Sequence, residues 1–151
     1  MSGDAKPPSL SDLEGIYHLE DKDVSPDGRI LPLPDDQGKY ALVLVFAYWC
    51  HNCSGIKPEY LKLLPRVGNR VRLYAVNGTG TQYYKDEEKA VLNSNDSEQA
   101  LMKRIKTLHS GFRGFPTVLL CDTNGKTVKE FEGPRTADAM FQFLQQNGTG
   151  L

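Results

Sequence analysis

Apolar and polar residues are spread unevenly along the chain, and the pattern predicts its elements. Ala41 to Ala47 is an unbroken run of seven apolar residues, as expected of a strand buried on both faces. Apolar side chains return at Ile56, Tyr60, Leu63 and Leu64, the spacing of one helical face. That helix begins near residue 51 and contains Pro58, whose missing N–H predicts a kink. Pro65 and Gly68-Asn69 close it, and Val71–Val76 reads as a second strand. From 77 to 95 the chain turns polar, with Gly78, Gly80 and the adjacent Tyr83 and Tyr84. Asp96 and Gln99 then stand at capping-box spacing before a stripe of Leu101, Ile105 and Leu108.

Gly111 to Pro116 reads as a loop and Thr117–Cys121 as a strand. Asn124-Gly125 is a strong hairpin signal, returning through Thr127–Glu132. Gly133-Pro134 breaks the chain, and Thr136 caps a last helix with Met140, Phe143 and Leu144 along one side. The beginning is harder to read. Residues 1–10 suit a loose tail, and Ser11 to Val24 supports neither helix nor strand. Asp27-Gly28 marks a turn, and 30–38, with Pro32 and Pro34, reads as an extended connection. The order predicts an α/β fold over residues 11–151, a central mixed sheet flanked by helices on both faces, with an insertion at about 77–95.

Composition narrows the classes. With 151 residues, 25% of them charged, and a net charge of −1, nothing in the charge favours nucleic acid or an anionic membrane. The apolar run is too short to span a bilayer. The N-terminal residues lack the apolar segment of a signal peptide, so the expected location is cytoplasmic. No helix has a dimerising pattern, and a monomer is expected.

Cys50 and Cys53 fall where the buried strand hands over to a helix. A helix start offers N–H groups without partners and a partial positive charge, which favour thiolate over thiol. The Cys-x-x-Cys spacing alone equally fits half a metal site, with His51 and His109 as further candidate ligands. Cys121, inside an apolar run, reads as a buried free thiol. His18 and His109 read as surface or loop histidines.

Four groups of residues carry a resemblance. They are Ala47-x-Trp49-Cys50-x-x-Cys53, Lys57-Pro58-Glu59-Tyr60, Arg113-Gly114-Phe115-Pro116-Thr117 and Glu132-Gly133-x-Arg135-Thr136. From about Tyr40 to Gln146 the chain resembles the thioredoxin superfamily, and within it a catalytic domain of the protein disulfide isomerase family. The resemblance implies a thioredoxin fold and a thiol–disulfide oxidoreductase, with no metal or organic cofactor. It implies protein disulfide or dithiol substrates and a redox partner that resets the pair. Cys50 would be the attacking thiolate, Cys53 the resolving thiol, and Trp49 a shield over both. Pro116 would be a cis-proline beside the cysteines, and the backbone of Phe115 would hold an extended substrate. Arg135 would swing toward Cys53 and lower its pKa. His51-Asn52 stands where relatives carry Gly-Pro or Gly-His, and His51, if protonated, would stabilise the Cys50 thiolate.

The chain also departs from that family. Where relatives bury an acid on the strand before the motif, paired with a lysine on the next strand, it has Leu44 and Ala75. Both halves change together, so neither strands a buried charge. The direction of electron flow stays open. The alternative reading is a redox-sensitive binding module with little turnover, with 77–95 as a docking loop or a tolerated insertion.

Overall fold

The computed structural model describes residues 13, 15–31, 38–47, 50–80 and 96–151. The expected N-terminal tail, Pro32, Pro34, Trp49 and the Tyr83-Tyr84 pair lie outside the described residues. The elements are strands β1 (Tyr17–His18), β2 (Tyr40–Phe46), β3 (Val71–Asn77), β4 (Thr117–Cys121) and β5 (Thr127–Glu130). The helices are α1 (His51–Leu61), α2 (Leu64–Val67), α3 (Glu98–Leu108) and α4 (Ala137–Gln146).

The sheet order is β1-β3-β2-β4-β5. β1, β3 and β2 run parallel, while β4 and β5 are antiparallel to their neighbours. The apolar run of β2 therefore occupies the centre, bonded on both edges and covered on both faces. On one face Leu44, Phe46, Leu73 and Ala75 pack with Ile56, Tyr60, Val67, Met140 and Leu144 from α1, α2 and α4. On the other, Val43, Val45, Tyr74 and Val76 pack with Leu101, Ile105 and Leu108 of α3. This is the mixed sheet with helices on both faces that the sequence predicts.

Local differences have physical causes. The predicted helix from 51 is two helices, and the interruption falls at Lys62-Leu63 rather than at Pro58. Pro65 lacks the N–H to continue the ladder, but within the first turn of α2 that N–H has no intrahelical partner anyway. α3 is capped by Ser97, whose Oγ accepts from Ala100 N at 3.2 Å, and not by Asp96. The Asp96 carboxylate instead accepts the backbone N–H of Asp21 at 2.8 Å, a long-range bond that outcompetes the local cap. The stretch 11–24 supplies β1, only two residues long and too short to show alternation. It also supplies a 3-10 turn at Asp21–Asp23, tied to α3 by Arg104 to Asp21. The hairpin connection occupies residues 122–126. Gly125 adopts φ +83, and a Cβ there would strike the carbonyl of Ile30.

Two residues of the Lys57-Pro58-Glu59-Tyr60 motif brace the fold. Tyr60 is fully buried, with its hydroxyl 2.7 Å from the Tyr74 carbonyl and 2.8 Å from that of Leu42. It ties α1 to both central strands, and burial pushes its pKa well above the usual phenol value. Glu59 turns toward α4, accepting the Ala137 N–H at 2.9 Å, while Lys62 lies 2.6 Å from its other oxygen. The hydrogen bond from Lys62, then that from Ala137, hold this carboxyl below its ordinary value.

Tyr60→Phe, which removes the hydroxyl between two buried carbonyls, should cost about 1–3 kcal/mol. Urea unfolding should show a lower midpoint at an unchanged slope. Glu59→Gln should destabilise the protein at pH 7. A carboxyl depressed in the folded state contributes above its unfolded pKa, and that contribution is lost as the pH falls. The gap between variant and parent should therefore narrow below the ordinary value of 4.5.

Candidate active site

β2 delivers the chain to the C-terminal edge of the sheet, and α1 starts there at once. Cys50 is the N-cap of α1, with extended backbone (φ −84, ψ 107), and no side chain caps the helix at this position. Its N–H donates to Ala47 O at 3.1 Å, and its own carbonyl accepts from Cys53 N at 3.2 Å. The first turn of α1 contains no acidic residue. Its N–H groups and the positive end of the helix therefore act on the sulfur of Cys50 without competition from a carboxylate of that turn.

Cys50 and Cys53 are joined in a disulfide with a Cα–Cα distance of 5.4 Å. The two sulfurs stand in different surroundings. Cys50 is half-buried, whereas Cys53 is 1% exposed and belongs to the core cluster with Phe46, Leu44 and Ile56. One sulfur faces outward while its partner is sealed behind it.

The Phe115–Pro116 peptide bond is cis. Phe115 packs against the cluster that contains Cys53, edge-on to Phe112 at 5.2 Å. Its ring also lies where Gly78 has no side chain, only 2.6 Å from the position a Cβ would take. Pro116 lines a cavity of about 160 Å³ together with Ile56, Glu130, Glu132 and Arg135. The structure thus brings Pro116 and Arg135 to the helix turn that follows Cys53. Arg135 is exposed and forms no ion pair among the described residues. His51 is exposed at the first position of α1. Trp49 lies outside the described residues.

Beneath the site, Leu44 and Ala75 are register partners, both fully buried. Ala75 is also the partner of His18 on β1. His18 is not a surface residue as the sequence suggests. It is 3% exposed and edge-on to Phe46 at 6.0 Å. The sequence signal was faint, since a two-residue strand gives His18 no neighbours from which to infer a buried side. His109 follows α3 and lies 2.9 Å from Glu130. Among the described residues no three or more His, Cys, Asp or Glu side chains are grouped to hold a metal ion. Also among them, no helix is long and apolar enough to cross a membrane.

Residues 35–148 match the sequence model of the thioredoxin-like domain. The chain belongs to that family. Among relatives, this thioredoxin-like domain is 25% identical over 107 residues to protein disulfide-isomerase of Ricinus communis, covering 71% of the chain and 18% of that protein. It is 29% identical over 110 residues to a probable protein disulfide-isomerase A6 of Medicago sativa, covering 73% of the chain and 25% of the relative. The chain therefore spans about a fifth of the length of the first of these curated relatives. Among solved structures it superposes on the J-Trx1 fragment of ERdj5 with a TM-score of 0.59 at 17% identity, over 91% of this chain and 53% of that one. Against thioredoxin f2 of Chlamydomonas reinhardtii the TM-score is 0.55 at 20% identity, over 89% and 98% of the two chains. Identities that low establish a shared thioredoxin fold and nothing finer.

Cys121 stands apart from this chemistry. It is buried on β4 with its sulfur 3.7 Å from the Thr127 hydroxyl, and burial pushes its thiol up to about 12. After mild reduction, iodoacetamide at pH 8 should alkylate Cys50 first in the native domain. Cys121 should react only after denaturation, as read by peptide mass spectrometry.

Proposed function

We propose that this thioredoxin-like domain catalyses thiol–disulfide exchange on protein substrates. The observation that supports this best is the unequal burial of the bonded pair, with Cys50 half-exposed at a helix N-cap and Cys53 sealed at 1% exposure. In the reductive direction the Cys50 thiolate attacks one sulfur of a substrate disulfide and forms a mixed disulfide. The first substrate thiolate leaves and takes a proton from solvent. Cys53, deprotonated, then attacks Cys50 Sγ, forms the internal disulfide and expels the second substrate thiolate. The substrate gains two electrons and the domain loses them. The reverse sequence oxidises a dithiol.

The other roles follow in this reading. The cis Phe115–Pro116 segment holds an extended substrate backbone beside Cys50. Arg135, on the cavity shared with Ile56 and Pro116, reaches toward Cys53 as it loses its proton. Trp49 shields the pair, and His51 favours the Cys50 thiolate when protonated. A dithiol or disulfide protein restores the starting state.

Equilibration with glutathione buffers, with thiol trapping, should show a reversible Cys50–Cys53 disulfide. A potential near about −270 mV would give the reductive direction, and one near about −180 mV oxidation or isomerisation. Cys53→Ser should accumulate mixed disulfides with substrate proteins, whereas Cys50→Ser should abolish exchange. A pair that never exchanges, or a Cys50→Ser variant with full activity, would leave a binding module as the remaining reading.

A further inference from the structure

The chemistry proposed above needs Cys53 to become a thiolate inside the core, where burial disfavours charge. The sheet row beneath it, Leu44 and Ala75, is apolar. The stabilising charge has to come from elsewhere.

Lys57 stands four residues after Cys53 on α1, the spacing that stacks two side chains on one helix face. Helical side chains lean toward the N-terminus, so that of Lys57 leans over the turn that holds Cys53. The observed contact agrees, because its Nζ sits 4.7 Å from the centre of the Phe46 ring. Phe46 is fully buried and shares the core cluster of Cys53 and Leu44. The aromatic face holds the ammonium at the edge of the core on the side of the pair, through a cation–π contact.

We propose that Lys57 is the positioning charge for Cys53, an ammonium fixed over Phe46 that stabilises the buried thiolate where the adjoining sheet offers only Leu44 and Ala75. It touches no substrate and acts through Cys53. An opposite charge nearby favours the thiolate without itself taking the proton. Among the described residues, other titratable groups on the elements that form this contact include His18, edge-on to the same ring from β1, and His51 and Glu59 on α1. Glu59 is engaged by Lys62 and Ala137. Arg135 approaches from the Ile56 side. The inference rests on exchange by the Cys50–Cys53 pair, and its first readout is independent of turnover.

That readout is the thiolate absorbance of Cys53 against pH in a Cys50→Ser background, where Cys121, pushed up to about 12, stays silent below pH 10. Lys57→Met keeps an unbranched stem and removes the charge. It should cut the Cys53 thiolate fraction at pH 7 by about tenfold, and Lys57→Arg should restore it. With Cys50 present, Lys57→Met should slow resolution of a glutathione mixed disulfide by about threefold, because the more basic thiolate is also the better nucleophile. If Lys57→Met melts well below its parent, Lys57→Gln serves as the neutral variant. A Cys53 titration unmoved in a folded neutral variant, or one not restored by Lys57→Arg, would overturn the role of Lys57. If the parent pair fails to exchange with glutathione, the functional reading falls, while the Cys53 titration still decides the role of Lys57.

Discussion

The hydroxyl of Tyr60 lies between the carbonyls of Leu42 and Tyr74, and the geometry of the cysteines depends on it. β2 and β3 are buried on both faces, and α1 lies against them closely enough for one of its side chains to reach their backbone. That side chain is Tyr60, in the third turn of α1, whose single O–H is shared between one carbonyl of each strand. The helix that begins at Cys50 is thereby fixed on the sheet, and Cys53 is pressed into the core while Cys50 stays at the rim. Glu59, the next residue back, hydrogen-bonds the start of α4. A motif that reads in sequence as a signature beside the cysteines is, physically, the set of bonds that orients them.

The placement of Leu44 opposite Ala75 gives the site an unusual floor. Two fully buried apolar side chains in register leave nothing ionisable in that row between β2 and β3. The nearest polar group along the row is His18 on β1, separated from Leu44 by Ala75. In the mechanism proposed above, charge reaches the pair along the helix and from the β5–α4 side, through Lys57 and Arg135, rather than up through the sheet. Such an arrangement keeps the floor tightly packed and moves the electrostatic control to groups that remain partly in contact with solvent.

Much of this was legible in the sequence because it is local. Seven apolar residues can hardly be anything but a central strand, and Cys50, Cys53, Phe115 and Pro116 stand in contiguous motifs whose positions follow from the strand and helix order. What was missed is non-local. Ser97 caps α3 because Asp96, the better-looking candidate, is bound by Asp21, far away in the chain. β1 exists because β3 has an edge to fill, not because Tyr17-His18 announces a strand. His18 looks exposed beside charged neighbours, and only pairing with Ala75 turns it inward. The break at Lys62-Leu63 shows the same limit, since Pro58 and Pro65 both disfavour a ladder bond and only the packed structure selects between them.

The end of β3 works as a strain relief in the sense used for cables. The Asn77 side chain, 1% exposed, accepts from Thr79 N and donates to Gly80 O, while Gly78 N is bonded to Phe46 O. Those bonds knot four residues to the sheet just where Gly78 lies against the Phe115 ring. A pull transmitted from beyond Gly80 is taken up by that knot and by the full length of β3, not by the cis Phe115–Pro116 segment. The same knot makes Gly78 a fixed stop for the Phe115 ring, since a Cβ there would lie 2.6 Å from it, so the end of β3 sets how close the segment before Pro116 can come to the sheet.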